Sequence, residues 1–229
     1  MRTYTHGLGE LSHDGGFLTI TVRSAVKEDA KPVAELIYLA ALANARVCPL
    51  DIVFNRGREQ VLEKVAWMFQ NIEDNFNHYL RCLVAEIDGR VASSLFLNTA
   101  HNDSFKVWRS AFRGMGYGDL EMLSMGWRIR SYFRVKPSFR SDSLIIDNVA
   151  TFPDFRRRGA VHSLFERARA LAGEKGFPRM ELECQVGNTP ARKAYEKEGF
   201  VVAEVKTHPS WERIFGTPGV MAMRLDLDT

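Results

Sequence analysis

Apolar and polar residues follow two rhythms along this chain, and the places where the rhythm changes predict its elements. "FLTITVRSA", residues 17–25, alternates with period two. Phe17, Thr19 and Thr21 share one face and Leu18, Ile20 and Val22 the other, as in a strand. "KEDAKPVAELIYLAALANA" then repeats every three to four residues, with Val33, Leu36, Ile37 and Ala40 as its apolar stripe and Pro32 in its first turn, which predicts a helix. A second helix is predicted over 58–77, with Val61, Val65, Met68 and Phe69 facing inward. "YLRCLVAEIDGRVASSLFLN" reads as two strands joined at Asp88-Gly89, a dipeptide suited to a tight hairpin turn.

Residues 98–142 are less regular. Phe105, Trp108 and Phe112 fit one helix face, and Met122, Met125, Ile129 and Phe133 fit another. Two short helices covering a sheet would explain this, and so would a segment facing a substrate. After it, "SLIIDNVATF" predicts a strand, "FRRRGAVHSLFERARA" a turn and helix, "RMELECQV" a strand, "NTPARKAYEKEG" a helix and "FVVAEVKT" a strand. The loop "HPSWERIFGTPG" leads to a last strand, "VMAMRLDL". This order predicts an α/β fold with at least one crossover. Residues 1–16 read as a loose extension before a domain over 17–229.

Charge and composition narrow the class. The 229 residues are 45% hydrophobic and 26% charged, ordinary for one globular domain. A net charge of +3 does not by itself indicate nucleic acid, which is not expected as a partner. Segment 98–142 holds eight Lys/Arg against four Asp/Glu, so its local excess exceeds that of the whole chain. Without an apolar run of eighteen residues, no membrane contact is expected. Cys48, Cys82 and Cys184 are widely spaced and odd in number. They suggest reduced thiols in a cytoplasmic protein, with neither a disulfide framework nor a cysteine zinc site. The histidines show no spacing suited to a metal, so no metal is expected.

Two stretches suggest chemistry. In "FRRRGAVHSLFERARA" three arginines and Gly159 precede a helix whose apolar positions are Val161, Leu164, Phe165, Ala168, Leu171 and Ala172. Unpaired N–H groups and the positive helix dipole at such a start favour an anion, and a glycine lets it come close. A solvated basic turn before an amphipathic helix is the plainer alternative. In "GNTPARKAYEKEGF", Thr189 is a candidate cap, Pro190 suits the first helical turn and Gly199 suits the stop. Asn188 and Tyr195 lie seven residues apart, close to two turns, and can face the same way.

Together, "IDNVATFPDFRRRGAVHSLFERARALAGEKGF" and "MELECQVGNTPARKAYEKEGF" resemble the GCN5-related N-acetyltransferases (the GNAT superfamily). The resemblance is specific over roughly 143–205. It implies a GNAT fold, a mixed sheet of about six to seven strands flanked by helices and splayed between the family's strands four and five. Segment 98–142 would be a basic, aromatic-rich insertion. The implied activity is transfer of an acetyl group from acetyl-CoA to a primary amine, by direct attack in a ternary complex. A degenerate CoA-binding or protein-interaction module is the alternative.

The resemblance also implies roles for residues. Backbone groups of Val149, Ala150 and Thr151 would pair with the pantetheine arm, and those of Arg156, Arg157, Arg158, Gly159, Ala160 and Val161 would hold the pyrophosphate. Asn188 would contact the pantetheine or fix the splay. Tyr195 would protonate the departing thiolate. Glu183 or Asp147 would take the proton of the amine, with His101, His162 and His208 as lesser candidates. Val161 departs from the family's usual Gly or Ala, and its side chain would either crowd the phosphates or turn into the core. The acceptor would be a small-molecule or peptide amine, with the basic segment leaning toward one that bears a carboxylate or phosphate. The protein would act as a monomer or homodimer.

Overall fold

A computed structural model describes residues 4–6, 19–71, 73–102 and 105–227. Phe17, Leu18 and most of the expected N-terminal extension lie outside the described residues. The strands are β1 (Tyr4–His6), β2 (Ile20–Ser24), β3 (Cys82–Ile87), β4 (Arg90–Asn98), β5 (Ser143–Thr151), β6 (Arg179–Gln185), β7 (Val201–Thr207) and β8 (Gly219–Asp226). They form one sheet in the order β1-β2-β3-β4-β5-β6-β8-β7. All neighbours are antiparallel except β5 and β6. This is the mixed sheet that the resemblance implied, except that Tyr4–His6 of the expected loose extension pairs with β2 as an added edge strand, three residues being too few to show a period-two pattern in the sequence.

The helices are α1 (Ala30–Leu42), α2 (Pro49–Phe54), α3 (Arg58–Gln70), α4 (Phe105–Gly114), α5 (Asp119–Arg128), α6 (Ala160–Glu174), α7 (Thr189–Lys197) and α8 (Pro209–Phe215). They cover both faces of the sheet because its inner strands are apolar on both sides. On β3, Leu83, Ala85 and Ile87 join Leu164, Phe165, Ala168 and Ala172 of α6 in one core. Cys82 and Val84 point the other way, toward Val33 and Ile37 of α1 and Val61, Val65 and Phe69 of α3. The period-two reversal of side chains thus divides the apolar residues between two cores. At the hairpin, Asp88 and Gly89 have φ of 52° and 72°, the paired left-handed turn that Asp-Gly favours.

Three sequence expectations change. The helix expected over 58–77 ends at Gln70, because asparagine side chains take over its last carbonyls. Asn71 Nδ2 donates to the Trp67 carbonyl at 2.8 Å, and Asn75 Nδ2 to those of Met68 and Asn71 at 2.8 and 2.9 Å. The loop expected after β7 contains α8, which begins with Pro209 and buries Trp211 and Phe215. Phe133, expected to share a buried face with Met122, Met125 and Ile129, is 60% exposed; it lies in the short turn Tyr132–Arg134 beyond the end of α5. The side chain of Phe105 lies outside the described residues.

The feature that makes the site is the β5–β6 ladder. Its parallel register runs from Ser143↔Arg179 to Ile146↔Leu182 and stops. Beyond it, β5 stays with β4 and β6 stays with β8, so the sheet opens into a wedge. The closed end is held by Glu181, which is 1% exposed. Its carboxylate accepts from Ser143 Oγ at 2.7 Å, the Arg140 N–H at 2.8 Å and Arg224 Nε at 3.1 Å. Removing a carboxylate that satisfies three buried or part-buried donors leaves them unpaired. Glu181→Ala is therefore expected to cost about 3 kcal/mol or more in urea denaturation. A loss below about 1 kcal/mol would show that this end of the ladder does not depend on Glu181.

Candidate functional site

The wedge opens into a cleft of about 1950 Å³. This exceeds the roughly 300–1,000 Å³ of a usual small-molecule pocket and leaves room for two ligands side by side. Val149, Ala150, Thr151, Arg156, Arg157, Val161, Asp147, Glu183, Asn188 and Tyr195 all line it. Arg158, Gly159 and Ala160 belong to the same turn but are not part of the lining. Ala160 is buried beneath the turn, and Arg158 lies over the Phe155 ring at 5.7 Å, with Arg90 over it at 5.3 Å.

A bulge shapes the β5 wall. Ser94 pairs with Ala150, but Phe96 pairs with Asp147, so Leu95 faces both Asn148 and Val149. The extra residue forces Asn148 to φ 50°, a left-handed backbone that asparagine tolerates better than most residues. Its side-chain Nδ2 donates to Asn77 Oδ1 at 2.8 Å. Next to it, Asp147 Oδ2 accepts from Asn98 Nδ2 at 2.8 Å, and Asn98 also donates to the Phe76 carbonyl at 3.1 Å. Past Ile146, the edge of β5 that faced β6 has no strand beside it among the described residues, so its backbone groups are open to another partner.

The turn after β5 presents backbone donors. Arg157 and Gly159 have φ of 62° and 83°, and Gly159 is the N-cap of α6. The first helical bond is Ser163 N–H to the Gly159 carbonyl at 3.1 Å, so the N–H groups of Ala160, Val161 and His162 lack intrahelical acceptors. The Arg156 N–H is taken by the Pro153 carbonyl at 3.3 Å. Val161 is half-buried and packs against the α6 core while also lining the cleft, so its side chain is partly absorbed by the apolar stripe of its own helix.

On the β6 side, Tyr195 is 7% exposed and its ring meets those of Phe165 and Phe200 edge-on at 5.9 and 6.5 Å. Burial, reinforced by the neighbouring Cys184, raises its pKa and holds the phenol protonated. Cys184 also lines the cleft, and burial pushes its thiol up to about 11, with the Glu183 charge adding to the shift. Glu183 Oε2 accepts from Tyr132 Oη at 3.0 Å. That contact spans 51 residues in sequence and carries no sequence signal. Asn188, rather than Thr189, caps α7: its Oδ1 accepts from the Ala191 N–H at 3.3 Å, and Thr189 becomes the first helical residue.

The histidines weighed as bases lie elsewhere. His162 pairs with Glu198 at 3.0 Å on the surface. His208 caps α8, its Nδ1 accepting from the Ser210 N–H at 3.0 Å, and His101 is exposed. None of the three lines the cleft.

Comparison with known proteins agrees with this geometry. The acetyltransferase (GNAT) family model matches residues 46–200. The chain belongs to that family. GCN5-related N-acetyltransferase 4, chloroplastic, from Arabidopsis thaliana is 26% identical over 196 residues, covering 84% of this chain and 64% of that protein. The chain thus spans less than two thirds of that relative's length. Two solved structures, of an acetyltransferase and of an N-acetyltransferase from Staphylococcus aureus Mu50, align with TM-scores of 0.64 at 22% and 19% identity. The alignments cover 90% and 89% of this chain and 99% of each of theirs, and they show the shared fold.

The bulge gives a direct test of backbone conformation. Asn148→Gly and Asn148→Ala both lose the bond to Asn77, but only glycine accepts φ 50° without strain. The alanine variant is expected to be less stable than the glycine variant by about 1 kcal/mol in chemical denaturation. Equal stability would show that the bulge relaxes once the amide is gone.

Proposed function

We propose that this protein transfers the acetyl group of acetyl-CoA to a primary amine. The observation that carries the reading is a convergence. The open edge of β5, the left-handed Arg157 in the turn before α6, and the buried phenol of Tyr195 all meet the same cleft. In the same cleft, the N–H groups at the start of α6 and the cationic side chains of Arg156 and Arg157 suit a diphosphate. The backbone of Val149, Ala150 and Thr151 suits the amide-bearing pantetheine arm, added like a strand. The cap formed by Asn188 fixes the start of α7, and with it the position of Tyr195.

Acetyl-CoA supplies an activated thioester. The residues then divide two proton transfers between them. An attacking amine must lose its proton, and Glu183 or Asp147 accepts it. As the new N–C bond forms and the C–S bond breaks, the Tyr195 hydroxyl gives its proton to the sulfur. A phenol held protonated by burial is in the correct state for that transfer at any pH below its raised pKa. Tyr132, hydrogen-bonded to Glu183, keeps that carboxylate directed at the cleft.

Cofactor binding and chemistry can be tested apart. Acetyl-CoA at 100 times its dissociation constant is expected to add about 2.7 kcal/mol of stability, read as a rise in Tm. Gly159→Asp is expected to abolish that rise. It also costs about 1–2 kcal/mol through the left-handed backbone, where an added Cβ would lie 3.3 Å from Ile20 Cδ1. No rise at millimolar acetyl-CoA with the unaltered protein would refute the reading.

Tyr195→Phe is expected to keep acetyl-CoA affinity and lower kcat by about 10²–10⁴-fold. Glu183→Gln, if Glu183 is the base, should recover activity as pH rises and more amine is already neutral, whereas Tyr195→Phe should not. Full activity of Tyr195→Phe would remove the acid role given to Tyr195.

A further inference from the structure

Helix α5 is apolar on two opposite faces, and only one of them is used by the core. Met122, Met125 and Ile129 pack into the α1–α3 core and meet the cleft from within it. Leu120, Leu123 and Trp127 follow each other at i, i+3 and i+7 on the other side and line the cleft. They are 84%, 73% and 69% exposed, and Phe133, at 60%, continues the same wall. A helix that presents large side chains on both faces has a second apolar contact to make.

The basic residues of the segment do not offset this wall. Arg128 turns back to the Ile52 and Val53 carbonyls at 2.8 Å each. Arg113 and Arg109 converge on Asp119 at 2.7 and 3.5 Å. Arg130 lies over the Trp127 ring at 4.0 Å and donates to the Trp127 carbonyl. These four cations, with Arg134 on Ser210 and Arg140 on Asp142, are engaged with the protein itself, which absorbs most of the local charge excess; Lys136 also lines the cleft. The carboxylates of Asp147 and Glu183 line the same cleft at the wedge, which gives it an acidic end and an apolar wall.

We propose that the acceptor is a primary amine carried on an uncharged apolar body, an alkyl chain or an aryl group. The amine meets Glu183 and Asp147, and the body lies along Leu120, Leu123, Trp127 and Phe133. This rests on the acetyl-transfer reading above, and it replaces the acidic acceptor suggested by the charge count alone.

The test follows thiol release from acetyl-CoA with ethylamine through hexylamine and phenethylamine, set against glutamate and glucosamine. With about 0.8 kcal/mol per buried methylene, kcat/KM is expected to rise about threefold to fourfold for each one, mainly through KM. Leu123→Ser and Trp127→Ala, both at exposed positions, are expected to flatten the series and raise the KM for hexylamine about tenfold or more. The acetyl-CoA-dependent rise in Tm serves as the check that each variant is folded.

If glutamate or glucosamine matches hexylamine, or if only peptides with N-terminal Leu or Phe are acetylated, the proposal is overturned. It is also overturned if Leu123→Ser turns a dimer into a monomer, since the wall would then be an interface between copies. If no amine releases thiol, the acetyl-transfer reading fails separately. Quenching of Trp127 fluorescence by phenethylamine, taken as the difference between the unaltered protein and Trp127→Phe, still decides whether the wall binds an apolar amine. Saturable quenching supports it, and none overturns it.

Discussion

Everything at the site depends on a parallel ladder that stops after four residue pairs, Ser143↔Arg179 to Ile146↔Leu182. A sheet normally satisfies both edges of an inner strand, because unpaired backbone groups away from water are costly. Here β5 and β6 are inner strands that part company while each keeps its outer neighbour. The wedge is therefore a gap in the centre of the sheet, with one strand's polar edge laid open along its wall. Glu181 fixes where the gap begins, by tying Ser143, Arg140 and Arg224 together at the closed end. The bulge at Asn148 and Val149 then changes the direction of the β5 backbone just past the last pair.

A buried polar network carries this geometry back into the helical layer. Asn75 and Asn98 are 0% exposed and Asn77 3%. Asn75 grips the last turn of α3 and accepts the Asn77 N–H at 2.7 Å. Asn77 receives the amide of Asn148, and Asn98 holds Asp147. A loop without regular structure is thus fixed by side-chain hydrogen bonds in a low-dielectric setting, where such bonds gain strength and their loss is expensive. The end of α3, the loop after it and the mouth of the wedge form one unit.

How far the sequence revealed this varies by element. The hairpin at Asp88-Gly89 and the start of α6 at Gly159 were legible because their backbones need φ above zero, and glycine signals that directly. The stripes of α1 and α3 were legible because each faces a single core. Helix α2, six residues long, and α8, seven, are too short for a 3.6-residue period to stand out. The end of α3 was hidden because side-chain amides, not a glycine or proline, replace its last bonds. The cap of α7 fell to Asn188 over Thr189, two residue types that both suit the position. In α5 the stripe of Met122, Met125 and Ile129 was legible and does pack into the core, whereas Phe133 fell outside it and the second apolar face, Leu120, Leu123 and Trp127, was not singled out. Periodicity reports that a face is apolar, not what covers it. The candidate residues themselves were legible as motifs, whereas the partners that aim them, Tyr132, Asn98 and Asn77, come from distant segments and leave no local pattern.

Cys184 lines the same cleft as Tyr195 and Glu183, and a cysteine beside a thioester is ordinarily a rival nucleophile. Its burial pushes the thiol up to about 11, which favours the neutral thiol over the nucleophilic thiolate. The same low-dielectric wall holds both the Tyr195 phenol and the Cys184 thiol in their protonated forms. A substitution that admitted water to this wall would therefore lower the pKa of both groups together.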